Sequence, residues 1–133
     1  MRHPSLLEFE KKLRALFDTI DDRLEREYGT QYQLHPARAA AGTTSSRTSD
    51  GLFNVGASFT PGYGSRIGRG YVVQVELSTL DRVPSDVREQ IEARVADMVA
   101  EKLPYYFPDR TLRVSRDRNV YKIHGDLGLG SVH

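Results

Sequence analysis

The sequence contains no cysteine, which excludes disulfides, thiolate zinc sites and a cysteine nucleophile. It also lacks a long apolar run, because the N-terminal stretch MRHPSLLEFEKKL carries charges close to its first leucines, unlike a signal peptide or a membrane span. Neither sign of charge dominates, since 19 Lys and Arg face 18 Asp and Glu and the formal net charge is +1. We therefore expect a soluble, cytoplasmic protein that bulk charge does not drive onto DNA or a membrane.

The chain has 133 residues, which fit a single α+β domain spanning residues 1–133. Its charges are unevenly distributed. Residues 5–28 contain seven acids and five bases and residues 84–103 contain five acids and three bases, so these segments together carry a net charge of −4 and the rest carries +5. Residues 110–122 alone contain five bases and one acid. The layout predicts two acidic segments and a basic segment near the C-terminus.

Two segments have the three- and four-residue apolar spacing of amphipathic helices. The first begins at Ser5, which forms a capping box with Glu8, and is expected to close at Gly29 in the left-handed conformation. The second begins at Pro84, and Pro104 and Pro108 are expected to end it. Both helices have one apolar stripe to bury.

Four shorter segments alternate apolar and polar residues as half-buried strands do, namely 52–60, 71–79, 111–115 and 120–124, with a turn at 116–119 between the last two. The order predicts an α+β fold, helix-hairpin-helix-hairpin, with a four-stranded, mostly antiparallel sheet and two helices on one face. Residues 37–51 have no branched aliphatic or aromatic side chain to bury and are expected to form a mobile loop. Residues 126–133 are expected to form a flexible tail.

Two candidate contact regions follow from this arrangement, and the first is the open face of the sheet, which is strongly positive along its second hairpin. The second is the connector PGYGSRIGRG, whose glycines allow backbone N–H groups to approach an anion. Its spacing matches neither a dinucleotide loop nor a P-loop, so a plain solvated face and a flexible connector are the alternatives. The candidate ligand-binding residues are Arg66, Arg69, Arg113, Lys122 and His124, the arginines as anion clamps and His124 as a pH-sensitive donor.

No complete catalytic or metal-binding motif is present, and we assign no catalytic residue, metal or cofactor. His124 and Asp126 are too few to hold a metal ion. The sequence has no nucleophile elbow, no Ser/His/Asp spacing and no HExxH motif. A small enzyme whose site is assembled from distant residues is one alternative, which convergence of His35, His124 and a carboxylate would indicate.

The sequence therefore predicts a non-enzymatic binding or adaptor module that contacts an anionic ligand or a protein partner through the open sheet face and residues 61–70. RNA is a weak candidate for that ligand, because Phe53, Phe59 and Tyr71 point inward and leave no rings to stack on bases. The main alternative is an assembly protein that forms a homodimer through a sheet edge or the first helix, since unblocked edges invite pairing.

Overall fold

The computed structural model describes residues 4–46 and 48–128. Within these ranges, two helices and four strands follow one another in the predicted order: α1 (Pro4–Tyr28), β1 (Phe53–Thr60), β2 (Gly70–Leu77), α2 (Ser85–Tyr106), β3 (Leu112–Asp117) and β4 (Val120–Gly125). The α+β class predicted from the sequence is confirmed.

The strands form one sheet in the order β1-β2-β4-β3, and each neighbouring pair is antiparallel. β1 and β2 pair along their whole length. β4 pairs only with the first residues of β2, where Tyr71 lies opposite Ile123 and Val72 lies opposite Lys122. The second hairpin therefore lies beside the end of the first hairpin from which residues 61–70 extend.

Both helices pack on one face of the sheet, with α1 against β1, α2 against β3 and the helices against each other. Burial of one stripe of each helix and one parity of each strand removes apolar surface from water and provides the main stabilisation. Neither described helix is long and apolar enough to cross a membrane. The residues with the largest fully buried side chains are Phe17, Phe53, Leu16, Ile20, Leu24, Leu52, Ile91, Met98, Leu103, Ile123, Val55 and Val95.

Helix α2 continues past the first of the two prolines that were expected to end it and ends before the second, Pro108. Pro104 lies inside the helix, which ends at Tyr106. Pro104 removes a single N–H donor, the one that would bond the carbonyl of Ala100, and only two residues of the helix follow it. The helical pattern is recovered at once, because the backbone N–H of Phe107 donates to the carbonyl of Leu103 at 2.8 Å.

Two local expectations, one for the end of α1 and one for the turn of the second hairpin, were wrong. Gly29 has no positive φ, and glycine is required there because a Cβ would collide with the carbonyl oxygen of Glu25. In the second hairpin, Arg116 and Asp117 belong to β3, so the turn consists of residues 118 and 119 alone. Arg118 has a φ of 60°, which is uncommon outside glycine and which this tight connection requires.

Hydrogen bonds join the two ends of segment 37–51. The Arg38 guanidinium donates to the carbonyls of Asp50 and Gly51 at 3.1 and 3.0 Å. The buried Asp50 carboxylate accepts hydrogen bonds from the backbone N–H and the hydroxyl of Thr44 at 3.0 and 2.8 Å. The composition of the segment did not predict these hydrogen bonds. The mobility of residues 37–51 stays a prediction.

Part of the predicted tail is in contact with the domain. Leu127 packs against the core, and Arg110 donates to the carbonyls of Asp126 and Gly128 at 3.2 and 2.6 Å. Residues 129–133 lie outside the described residues. The flexibility of segment 126–133 stays a prediction.

Candidate functional site

The connector between β1 and β2, which with the first residue of β2 we call the 61–70 loop, folds back over the sheet face opposite the helices, which we call the outer face. Alternation along β4 directs Lys122 to this face, and its ammonium group donates to the hydroxyl of Ser65 at 3.1 Å and to the carbonyl of Gly68 at 2.8 Å. The sequence predicted that this face is open to water or to a partner. The 61–70 loop covers it at Lys122 of β4, so the face is not open there.

Lys122 and Asp117 form a buried ion pair beneath the 61–70 loop. Their side chains are 3% and 9% exposed, and Lys122 Nζ lies 2.6 Å from Asp117 Oδ2. Hydrogen bonds from Lys122 and from Ser65 hold the pKa of the Asp117 carboxyl below its usual range. Lys122 thus directs its ammonium group at three acceptors within the protein, and it anchors the loop instead of facing solvent as a free anion ligand.

Ser65 lies at the centre of these contacts. Its hydroxyl donates to Asp117 and accepts from the backbone N–H groups of Ile67 and Gly68, both at 3.1 Å. A Ser–Lys pair at this distance resembles the spacing of a nucleophile and its base, but Lys122 also donates to Asp117 and to the carbonyl of Gly68. The arrangement therefore fixes the loop geometry.

Two further predicted residues, Arg113 and His124, lie side by side on the outer face of the second hairpin. They are register partners on β3 and β4, and the His124 ring hydrogen-bonds the Ser115 hydroxyl at 2.7 Å. Burial, and then the positive charges of Arg113 and Lys122, lower the pKa of His124. His124 is therefore uncharged at neutral pH, whereas Arg113 is exposed and has no hydrogen-bond partner within residues 4–46 and 48–128.

A shallow pocket of about 300 Å³ lies between the 61–70 loop and the turn of the second hairpin, and we call it the outer pocket. Tyr63, which is 93% exposed, and the turn residues Arg118 and Asn119 line it. The Arg118 guanidinium reaches the carbonyl of Gly64 at 3.4 Å. Arg66 follows Ser65 in the same loop, is exposed, and has no hydrogen-bond partner in the described part of the chain. Arg66 and Arg113 are thus exposed cations of this loop and hairpin.

Arg69 lies elsewhere. Its neighbour Gly70 faces outward, since a Cβ there would meet the stem of Lys122, so the side chain of Arg69 turns to the helix side of the sheet. It lines a different pocket together with Phe9 of α1 and Tyr71 of β2. The structure therefore separates Arg69 from the other four residues predicted from the sequence.

The free edge of β1 is occupied by polar side chains of α1. Arg14 donates to the carbonyl of Val55 at 2.8 Å, and the Glu25 carboxylate accepts the backbone N–H of Phe53 at 2.9 Å. Side chains that satisfy strand-edge groups remove the template for pairing with another strand. The first half of β1 is thus blocked, and a homodimer through another edge or through α1 stays a prediction.

Between these two side chains, Asp21 is buried in the interface between α1 and the rest of the domain. It is 1% exposed, and its Oδ2 has no hydrogen-bond partner among the described residues. Burial, followed by the negative charges of Glu25 and Asp22, raises the pKa of Asp21 to about 7. A buried carboxyl group without a partner destabilises the fold when it ionises.

His35 and His124, the two histidines within the described residues, lie near opposite ends of β2. The backbone N–H of His35 donates to the Ser78 carbonyl just after β2 ends, whereas His124 lies near the residues with which β2 begins. Within residues 4–46 and 48–128, no group of three His, Asp or Glu side chains is arranged to hold a metal ion. The convergence that would have indicated a dispersed catalytic site is therefore not found in this part of the chain.

Sequence reasoning missed three residues around the outer pocket, namely Ser65, Asp117 and Arg118. In particular, it did not predict that Asp117 pairs with Lys122. Ser65 and Lys122 are 57 residues apart, and no local spacing connects them. Alternation along β3 and β4 does place Asp117 and Lys122 on one face, and this was the available signal for the ion pair.

Comparison with known proteins places the chain in a family without adding an activity. A curated relative from Borreliella burgdorferi, with the printed name "Uncharacterized protein", is 41% identical over 118 residues, which cover 89% of this chain and 92% of the relative. No solved structure matches the chain. A family model described as "Uncharacterised protein" matches residues 4–125, and the chain belongs to that family.

Proposed function

We propose that this protein is a non-enzymatic binding module that holds an anionic group, from a ligand or a protein partner, against the outer face of its sheet. Arg66 and Arg113 are the proposed contacts, and Arg118 lies at the rim of the outer pocket. The supporting observation is that Asp117, the single acid of residues 110–122, is buried and paired with Lys122. We place the module in the cytoplasm on the sequence prediction alone.

The electrostatic argument rests on which charges face solvent. Arg66 and Arg113 are exposed and lack partners in the described ranges, so no internal carboxylate competes with an arriving anion. A guanidinium group can bind a carboxylate or phosphate through two parallel hydrogen bonds. Because both side chains are exposed, each contact contributes modestly and is weakened by salt.

Loop anchoring makes the surface suited to recognition. Lys122 fixes the 61–70 loop at Ser65 and Gly68, on either side of Arg66. A loop that is already held in place loses less conformational entropy when a ligand binds. Lys122 therefore contributes to the proposed function by positioning the loop, and it is not a contact residue.

His124 gives the proposed surface a pH dependence. Its lowered pKa means that it is neutral near pH 7 and becomes charged only at lower pH. An anion bound beside it favours the protonated form and raises its pKa. Binding is therefore expected to strengthen as the pH falls.

The proposal is tested by titrating the protein with inorganic phosphate and with a hexaglutamate peptide at low and at physiological ionic strength, following amide NMR signals. Shifts are expected at residues 62–68 and around Arg113, and the affinity is expected to fall as salt is added. The double variant Arg66→Gln, Arg113→Gln should lose this binding. Arg82→Gln, an exposed arginine beyond the opposite end of β2, is the matched control and should retain it.

Binding that survives the double variant, or that is insensitive to salt, would show that these arginines do not form the site. Equal losses in the double variant and in Arg82→Gln would mean that total charge matters and that the outer face does not. Comparison of the amide spectra of the free variants with that of the wild type checks that each retains its fold.

A further inference from the structure

A second pocket lies on the helix side of the sheet, and the proposed anion surface does not include it. It has a volume of about 370 Å³ and lies between the first turns of α1 and the ends of β1 and β2. Its lining is mainly apolar, and we call it the helix-side pocket. The lining residues used below are Leu6, Phe9, Phe59, Arg69, Tyr71 and Leu127.

Three aromatic rings form one wall of the helix-side pocket. The ring centroids of Phe9 and Tyr71 lie 5.4 Å apart, and those of Phe59 and Tyr71 lie 5.6 Å apart. Phe9 and Tyr71 belong to the buried core, whereas Phe59 is 55% exposed. A large aromatic ring left half in water at the mouth of an apolar pocket offers surface that a ligand can cover.

Residues outside the pocket hold the Phe9 ring of this wall in place. Phe9 packs against the buried Phe107 at 4.8 Å between ring centroids. The Arg110 guanidinium lies over the Phe9 ring, 5.0 Å from its centroid, and is itself fixed by hydrogen bonds to the carbonyls of Asp126 and Gly128. The pocket is thus preformed, as small-molecule sites usually are.

The charges around the helix-side pocket favour an anion. Arg69 is exposed on its lining and has no hydrogen-bond partner within residues 4–46 and 48–128. The Arg110 guanidinium adds a second positive charge beside Phe9, and Glu10 is the acid on the described lining. An apolar pocket with a single convergent arginine is suited to a ligand that has an apolar body and one carboxylate.

We propose that the helix-side pocket binds a small apolar carboxylate, with its ring or branched chain against Phe9, Phe59 and Tyr71 and its carboxylate on Arg69. The ligand is accommodated by rings that are already in place, and the arginine fixes its orientation. Because this site lies across the sheet from Arg66 and Arg113, it stands or falls independently of the proposed function.

The test compares 3-phenylpropionate with its uncharged amide, 3-phenylpropanamide, by titration of the intact protein followed by amide NMR. Shifts are expected at Leu6, Phe9, Tyr71 and Leu127, and the carboxylate should bind about tenfold more tightly than the amide because its hydrogen bonds to arginine are charge-assisted. N-acetylphenylalanine serves as a mimic of a peptide C-terminus. If 3-phenylpropionate binds more tightly, the pocket prefers a small free carboxylate; if N-acetylphenylalanine does, it prefers a peptide C-terminus.

Variants separate the roles of charge and packing. Arg69→Gln should lower the affinity for 3-phenylpropionate to that of the amide, while Arg82→Gln, an exposed arginine beyond the opposite end of β2, should leave both affinities unchanged. Phe59→Ser should weaken both ligands, since it removes a ring that contacts either one. Arg69 and Phe59 are both exposed, so neither variant removes a buried side chain, and the amide spectrum of each free variant checks that the fold is retained.

The proposal is overturned if saturating 3-phenylpropionate shifts no signal of the pocket lining. It is equally overturned if the acid and the amide bind alike, or if Arg69→Gln leaves the acid's affinity unchanged. Shifts confined to the surroundings of Arg113 would assign the anion to the outer face instead.

Discussion

Asp21→Asn is expected to stabilise this protein at alkaline pH. Asp21 is 1% exposed, its Oδ2 lacks a partner among the described residues, and the carboxylates of Glu25 and Asp22 add negative charge beside it. Ionisation of this carboxyl in the folded protein is therefore opposed by burial first and by repulsion second. The asparagine side chain has nearly the same shape and cannot ionise.

The magnitude follows from the pKa. In the folded protein the pKa of Asp21 is raised from 3.8 to about 7. Each unit corresponds to about 1.4 kcal/mol, so ionised Asp21 lowers the free energy of unfolding by about 4 kcal/mol. A buried, unpaired amide still costs about 1–3 kcal/mol, which leaves an expected gain of about 1–3 kcal/mol for Asp21→Asn.

The sign of the pH dependence distinguishes this effect from ordinary repacking. A raised folded-state pKa means that the associated stability is fully present below pH 3.8, the unfolded value, and is lost as the pH rises through about 7. The gain in Asp21→Asn should therefore be largest near pH 8, shrink as the pH is lowered and become a loss near pH 4, where the carboxyl is protonated and only the cost of the buried amide remains. The carboxyls of Glu27 and Asp117, whose pKa values are lowered, respond in the opposite direction in both proteins and cancel in the difference.

The assay is urea denaturation followed by circular dichroism at several pH values between these limits. Asp97→Asn, on the exposed face of α2, is the matched control and should change the free energy of unfolding little at any pH. A gain that is equal at all pH values would attribute the effect to packing. No gain near pH 8 would refute the argument that Asp21 is ionised against a burial penalty.

Two further outcomes test the packing around Lys122 and the electrostatics of the outer face. Gly70→Ala should destabilise the protein by about 1–3 kcal/mol in thermal denaturation, because its Cβ would lie 2.5 Å from the Ile123 carbonyl oxygen. Gly56→Ala, whose Cβ would meet a flexible arginine end at 3.3 Å, is its control, and equal losses would argue against the crowding. In NMR pH titrations, His124 should titrate below a free histidine, and Arg113→Ala should raise its pKa by removing a positive charge. An unchanged midpoint would show that Arg113 does not contribute to the lowered pKa.

Much of the fold was predictable because it depends on local periodicity. The three- and four-residue spacing of α1 and the alternation along the strands predicted which side chains face inward, and the buried residues Phe17, Phe53 and Ile123 agree with that pattern. Sequence rules for single residues failed at two helix ends, where the position in the helix or a contact with the backbone decided the outcome. Pro104 costs α2 one hydrogen bond, and the helix ends two residues later. Gly29 is needed because a side chain there would collide with the Glu25 carbonyl, and its φ is not positive.

The candidate site was predictable only in part. Parity correctly directed Lys122 to the outer face, but its ion pair with Asp117 and its contact with Ser65 depend on how far the 61–70 loop folds back. Arg66 and Arg69 lie three residues apart in that loop, yet Arg69 adjoins β2 and turns to the helix side of the sheet, while Arg66 follows Ser65, which Lys122 holds in place. A difference of three residues in one loop thus assigns them to two separate surfaces.

The sequence by itself determined the elements and the inward face of each, because hydrophobic periodicity acts along a single segment. Only the tertiary structure decided which charges are neutralised and which remain available. In the sequence nothing distinguishes Lys122 and Asp21 from the other charged residues, whereas in the folded protein both are buried. The physical reason is that solvation and pairing depend on neighbours brought together from distant parts of the chain, and these set the charge that a partner meets.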